Sequence, residues 1–228
     1  MIVVTRYKES LDWLCNYNDN FTIYNKGPAL DLTFNTERTV NIIDSKNFGA
    51  NQYDICRYIV DNYDSLPDYI LFLQGNPYEH TTHENIKLAL SSKFFMPLEK
   101  QQEQKKNKLW RYSLEGLGGY CEKNNSWYIQ EVTRNLLERK IKITCKDKSV
   151  NDFLEGVLFN YPTASYLRFS PGSQFGIESW RLKLFSKNFW DELSRYISPV
   201  IGANGGAEAH IVERSLWYIF SGLYKESP

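Results

Sequence analysis

The sequence predicts an α/β domain with a mostly parallel central sheet flanked by helices. Three observations predict it. The segment Asp68 to His80, DYILFLQGNPYEH, carries an apolar run from Tyr69 to Leu73 that stops abruptly at Gln74-Gly75-Asn76-Pro77. A continuous apolar run bounded by turn formers suits a strand buried on both faces, as in a parallel sheet covered by helices. Ahead of it, Ile55, Tyr58, Ile59 and Tyr63 recur at three- and four-residue spacing, a helical pattern closed by Leu66-Pro67. The chain also opens with strand, helix, strand within about its first 25 residues, the start of a parallel βαβ arrangement.

Taken in order, Ile2 to Thr5 is a β-branched run and the first strand. Ser10 is an N-cap candidate for a short helix through Leu11, Trp13, Leu14 and Cys15. Phe21 to Tyr24 is the second strand, ended by Asn25-Lys26-Gly27-Pro28. Asp31 to Val40 reads as a loop or hairpin, and Asn41 to Asp44 as a further short strand. Asn47 and Gly49 then sit at a helix N-terminus, where backbone N–H groups favour an anion, although the same residues serve equally as a plain cap and turn. After His80, Thr81 or Thr82 caps a helix through Ile86, Leu88, Ala89 and Leu90, with His83 a surface group in its first turn.

The second half is less sharply patterned. Leu98 to Lys108, dense in Lys, Gln and Glu, reads as an exposed helix or loop. The glycines of Leu114 to Tyr120 have neither P-loop nor Rossmann spacing, and the segment reads as a loop and lid candidate at the sheet's carboxyl edge. Trp127 to Arg139 is an amphipathic helix, Ile141 to Cys145 an edge strand and Val150 to Phe159 a short helix. Tyr166 to Phe169 is a strand running into Ser170 to Ile177, whose small and polar residues suit close approach by a ligand and equally a tight turn. An aromatic helical region from Trp180 to Ile197 is followed by a loop, Ile201 to Gly206. The final helix, Ala207 to Tyr224, has Val212, Leu216, Ile219 and Phe220 on its apolar side.

Composition narrows the function classes. With 228 residues the chain suffices for one substantial domain, 1–228. Its 27 basic and 27 acidic side chains cancel, which argues against nucleic acid as the main partner despite basic and aromatic interleaving from Lys105 to Tyr112. No apolar run approaches the ~20 residues of a membrane span, so a cytoplasmic protein without a transmembrane segment is expected. Cys15, Cys56, Cys121 and Cys145 lack metal-ligand spacing and read as reduced thiols, mostly buried.

In open α/β sheets, ligands bind beyond the carboxyl ends of the strands. That makes Gln74, Asn76 and His80 candidate ligand contacts, against the plainer reading of a buried strand ending in an ordinary loop. Gly172-Ser173-Gln174-Phe175-Gly176 lacks the central serine of a nucleophile elbow. Of the three histidines, His80 and His83 are three apart and His210 is the remaining one, a poor basis for a zinc hydrolase. His210 and Glu213 share one face of the final helix.

Four blocks are similar to an uncharacterised family grouped with GT-A-fold glycosyltransferases and found in fungi, bacteria and large DNA viruses. They are IVVTRYKESLDWL with IYNKG, NFGANQYDICRYIVDNYDSLPDYILFLQGNP, SPGSQFGI and ERSLWYIF, together spanning Ile2 to Phe220. The second is the most specific. The resemblance implies a single GT-A-like, Rossmann-like domain, with 1–96 binding the nucleotide and 97–228 on the acceptor side. It implies transfer of a sugar from a nucleotide-diphosphate sugar to a hydroxyl of a glycan or glycoprotein, in the host cytoplasm if the chain is viral. Val4, Arg6, Tyr7, Glu9, Asn47, Gly49, Gln74, Gly75 and Asn76 would contact the nucleotide sugar. Ser173, Gln174, Phe175 and Trp217 would approach the acceptor or donor sugar, and Glu213 would be an acidic residue of the acceptor region. An inverting transfer needs one carboxylate to take the acceptor's proton, and Glu213, with Glu208 behind it, is the catalytic candidate.

One departure matters. Where such enzymes carry an Asp-x-Asp metal motif, this chain has Gln74-Gly75-Asn76, and neutral amides bring oxygen ligands without charge. Three expectations follow. Mn2+ or Mg2+ is held by Asn76 with Glu79, His80 or His210; or the diphosphate is neutralised without metal by Arg6, Lys46 or Arg214; or the fold is kept as a non-catalytic sugar-nucleotide or carbohydrate-binding module.

Overall fold

In the computed structural model, residues 1–32, 38–47, 49–99, 111–113, 120–123, 149–163, 166–198 and 206–227 are described. The strands, in chain order, are β1 (Ile2–Arg6), β2 (Phe21–Asn25), β3 (Val40–Asp44), β4 (Tyr69–Gln74), β5 (Met96–Pro97), β6 (Arg111–Ser113), β7 (Tyr120–Lys123), β8 (Tyr166–Phe169) and β9 (Phe175–Glu178). The α-helices are α1 (Ala50–Asn62), α2 (His83–Ser92), α3 (Val150–Val157), α4 (Ser179–Leu182), α5 (Lys187–Ile197) and α6 (Gly206–Phe220).

The architecture is α/β. A six-stranded sheet runs in the order β3-β2-β1-β4-β9-β5, and a smaller three-stranded sheet is β6-β7-β8. β3, β2, β1 and β4 are mutually parallel, with Val4 opposite both Ile23 and Leu73. β9 is antiparallel to β4 and β5 antiparallel to β9. The large sheet is therefore mixed, not mostly parallel as the sequence suggested. The difference lies in Phe175–Glu178: read from sequence as part of a polar turn, it pairs along Tyr69–Phe72 and covers the far edge of β4.

Strand periodicity of two divides the core into two layers. Val3, Tyr24, Ile70 and Phe72 pack against α1, α5 and α6 through Ile55, Ile59, Trp190 and Phe220. Ile2, Val4, Leu71 and Leu73 face the other way, toward Leu11, Leu14, Ile86 and Ala89. Trp190 and Phe220 are fully buried and Phe72 is 1% exposed; each ring of this kind stabilises the fold by roughly 2–3 kcal/mol relative to exposure. Thr82 caps α2 by accepting from the Asn85 amide at 3.2 Å, as read from sequence. The helix expected after Ser10 is a 3-10 turn, Asp12–Asn16, with Leu11 at its N-cap position; the Ser10 hydroxyl accepts from the Asp12 amide at 3.2 Å and donates to the Asp12 carboxylate at 2.7 Å.

Other expectations fare variously. Tyr166–Phe169 is a strand, but in the small sheet. The long aromatic region divides into α4 and α5, the latter capped by Ser186, which accepts from Phe189 N. Leu98 and Glu99 are buried rather than exposed. Cys56 is a buried free thiol and Cys15 an exposed one. The charged run from Lys100 to Lys108, the loop Leu114 to Gly119, the helix from Trp127 to Arg139, the strand from Ile141 to Cys145 and the loop from Ile201 to Gly205 lie outside the described residues.

Gly176 shows how tightly β9 seats on β4. A Cβ there would run into the Tyr69 hydroxyl and come within 2.8 Å of its ring carbon Cζ. Gly176→Ala is expected to destabilise the chain by about 1–3 kcal/mol in urea unfolding, with partial relief when Tyr69→Phe is added.

Candidate ligand cleft between β1 and β4

β1 connects onward to β2 on one side, while the chain returns through α1 to place β4 on the other. The connections thus diverge at β1 and β4, and in such sheets the carboxyl ends at the point of divergence leave a crevice. An open cleft of about 200 Å³ lies there. Arg6, Tyr7, Glu9, Asn47, Gln74, Gly75 and Asn76, all read from the sequence, line it. So do Lys26, Asn51 and Glu79, which were not read as nucleotide contacts.

The rim is organised by hydrogen bonds that satisfy loop backbone. One oxygen of Glu9 accepts from the amides of Tyr7 at 2.7 Å and Lys8 at 3.0 Å. The same oxygen would be 2.7 Å from a Cβ at position 75, so any larger residue than Gly75 would displace the Glu9 carboxylate from these amides. Trp13 donates its indole N–H to the Gly75 carbonyl at 2.8 Å and packs edge-on to Tyr17 and Tyr78. Arg6 is 8% exposed and donates to Glu9 O, Asn25 Oδ1 and Pro28 O at 2.9, 2.6 and 2.8 Å. These bonds use Nε and Nη1 and hold two loops together, which leaves Nη2 as the part of the guanidinium able to meet a ligand phosphate. At the tip of β4, Gln74 donates to the Asn76 carbonyl at 2.8 Å and Asn76 to Glu79 at 3.4 Å.

The opposite wall is the start of α1. Gly49 occupies its N-cap position with φ 66°, and a Cβ there would be 2.6 Å from Tyr53 Cβ and 2.8 Å from Ile197 Cγ2. Lys26 reaches from the end of β2, donates to the Ala50 carbonyl and lies 3.1 Å from Asp54 Oδ2. Both side chains are buried, and Ser45 donates to the other Asp54 oxygen at 2.6 Å. Burial raises the Asp54 carboxyl to about 6, against the downward pull of Lys26 and Ser45. Burial likewise lowers the Lys26 ammonium, with Asp54 opposing.

A 3-10 turn, Pro171–Ser173, joins this wall to α6. Asn51 donates to the Gly172 carbonyl and Gln52 to Ser173 Oγ at 2.8 Å. The Gly172 amide donates to Glu213 Oε1 at 2.8 Å, and Arg214 Nη1 donates to Oε2 at 2.8 Å. Gly172 has φ 66°, and a Cβ on it would press on Gln74 and come 3.1 Å from His80 Cδ2. The structure thus brings Gln74, His80, Gly172 and Glu213 into one chain of contacts reaching from the cleft.

Several sequence-predicted site residues are instead part of the fabric. Val4 and Phe175 are fully buried, Phe175 stacked on Phe95 with ring centroids 6.0 Å apart and edge-on to Phe220. Ser173 and Gln174 are also fully buried, and Gln174 donates to the Pro77 carbonyl at 3.2 Å. Trp217 packs on Phe95 and under Arg168, and does not line the cleft. Arg214 is 2% exposed and stacks on Phe169. His210, on the exposed side of α6, has Nδ1 3.7 Å from Glu213 Oε2. His83, expected on the surface, is half-buried with Nδ1 2.7 Å from the Tyr17 hydroxyl.

For a divalent cation, the cleft offers the carboxylates Glu9 and Glu79 and the amide oxygens of Gln74 and Asn76. Among the described residues no cluster of three or more His, Cys, Asp or Glu side chains is arranged to hold a metal. No family model matches the chain, and no curated protein matches it.

Burial pushes the Glu213 carboxyl upward, but His210, Arg214 and the Gly172 amide together hold it at about 2. The folded value lies below the ordinary 4.5, so this carboxylate contributes stability above pH 4.5 that is lost as pH falls toward about 2. Glu213→Gln is expected to flatten the stability profile over that window and to cost about 3 kcal/mol at neutral pH, because Arg214 stays buried without its partner. Urea unfolding at stepped pH measures both.

Proposed function

We propose that the chain is a GT-A-like domain that binds a nucleotide-diphosphate sugar in the cleft between β1 and β4 and transfers the sugar to a hydroxyl acceptor, a glycan or glycoprotein. The observation that carries this reading is the position of the cleft. It lies outside the carboxyl ends of β1 and β4, where the order of parallel strands reverses direction, with the Gln74-Gly75-Asn76 tip in its wall. The order β3-β2-β1-β4, with β9 antiparallel beside β4, is compatible with a Rossmann-like fold.

In this reading the cleft orients the donor and neutralises the departing diphosphate, which carries much of the catalysis in group transfer of this kind. A divalent cation, held by Glu9 and the Asn76 amide oxygen, would supply Lewis-acid charge to the leaving group. Glu213 makes a poor general base at neutral pH, since a carboxyl held at about 2 has little proton affinity. We assign it a positioning role, holding the Gly172 amide. Of the two carboxylates in the cleft, Glu9 is engaged with two backbone amides and Glu79 is exposed. Glu79 is the better candidate to receive the acceptor's proton.

The withdrawn, low-pKa Glu213 also favours a second reading, a sugar-nucleotide or carbohydrate-binding module without turnover. Calorimetric titration with UDP-glucose and GDP-mannose, with and without Mn2+, tests the shared premise, and no binding of either nucleotide sugar overturns it. Slow release of free nucleotide from a bound donor distinguishes the enzyme from the module. If the enzyme reading holds, Glu79→Gln is expected to lower kcat by about 100-fold or more with little change in KM.

A further inference from the structure

We propose that Lys26 is the cleft's anion-binding cation and that Asp54 gates it, so that an anionic ligand of the diphosphate class enters together with one proton. This rests on reading the cleft as a nucleotide-sugar site, and gives that site a pH control. Two basic side chains, Arg6 and Lys26, and two acidic ones, Glu9 and Glu79, line the cleft, so their formal charges cancel. Arg6 is fixed by its bonds to Glu9 O, Asn25 and Pro28 O. Lys26 is turned to Asp54, with the two side chains 3% and 0% exposed. As it stands, the cleft offers a diphosphate no unbalanced positive charge.

One proton on Asp54 changes that balance. A neutral Asp54 no longer holds the ammonium by charge, and Lys26 has a flexible four-carbon stem on which to swing it toward an incoming anion. Asp54 takes up the proton while Lys26 keeps its own, so one anion enters with one proton from solvent. Burial already favours the neutral carboxyl, lifting it to about 6. The groups around it are few. Lys26 and Tyr24 face Asp54 from β2, Thr5 from β1 and Ser45 from the segment after β3. On α1 itself stand Tyr53, Cys56 and Arg57, and Arg57 is paired with Asp61 and with Asp191 of α5. Lys26 is therefore the sole ammonium in direct contact with Asp54 among the described residues.

Proton uptake sets the pH dependence by linkage. Below the carboxyl's folded value, affinity for an anion is level; above it, affinity falls by up to about tenfold per pH unit. The test uses the full chain and two probes. Sulfate, whose charge is constant between about pH 5 and about pH 8, is titrated at fixed ionic strength while the amide resonances of Lys26 and Asn51 are followed by NMR. UDP-glucose is titrated by calorimetry in two buffers of different protonation enthalpy, which counts protons taken up.

We expect sulfate to bind more tightly as pH falls, with Asp54→Asn tighter and level across the range and Lys26→Met not binding. Above the folded value of Asp54, UDP-glucose binding is expected to take up close to one proton. Sulfate behaving in this way while neither nucleotide sugar binds leaves the proposal standing and removes the nucleotide-sugar reading. UDP-glucose binding without proton uptake does the reverse. Affinity of the unaltered chain that is level with pH overturns the gate, and so does Asp54→Asn that binds more weakly. If Asp54→Asn does not fold, proton uptake by the unaltered chain decides alone.

Discussion

The pairing of β4 on both edges, with its side chains buried on both faces, is the constraint on which the rest of the structure depends. Tyr69–Gln74 is bonded to β1 in parallel and to β9 in antiparallel. Ile70 and Phe72 point into one layer, Leu71 and Leu73 into the other, and all four are at most 2% exposed. A strand held this way cannot slip by one residue, since that would exchange its two faces. Its end is therefore fixed in space, and so are Gln74, Gly75 and Asn76.

From that fixed end the cleft is assembled by contacts that each satisfy a backbone group. Trp13 takes the Gly75 carbonyl, Glu9 the amides of Tyr7 and Lys8, Arg6 the carbonyls of Glu9 and Pro28. The far wall depends on Lys26 and Asp54, and on the Pro171–Ser173 turn pinned between Asn51 and Glu213. Much of the polar chemistry around the cleft is thus spent on holding the loops in shape. The cleft is preorganised by its own side chains, and the basic groups that line it are Arg6 and Lys26.

Legibility in the sequence followed burial pattern. β4 could be read because it is apolar on both faces, and α1 because Ile55, Tyr58 and Ile59 repeat on its covered side. β9 escaped because Phe175-Gly176-Ile177-Glu178 is short and directly follows a turn, so nothing local separates strand from loop. Gln74 and Asn76 could be placed at the cleft from their position at a strand end, whereas Arg6, Tyr7 and Glu9 were indicated only by the family resemblance. Phe175 and Trp217 pack against Phe95 rather than lining the cleft, and an aromatic beside small polar residues looks alike in a core and at a site. Lys26 and Asp54 carried a signal that passed unused: Asp54 precedes Tyr58 by four, a carboxylate on the apolar face of a helix, which needs a buried partner. The contact of Trp13 with Gly75 joins residues 62 apart and has no local signature.

The central claim is that ligand binds where β1 and β4 end. Mapping amide resonances of the full chain during titration with UDP-glucose and GDP-mannose tests it most directly. The structure predicts the largest shifts at Thr5 to Tyr7, Glu9, Lys26, Asn47, Ala50, Asn51, Gln74 to Asn76 and Glu79. Shifts centred on another surface, with these amides unmoved, would contradict it.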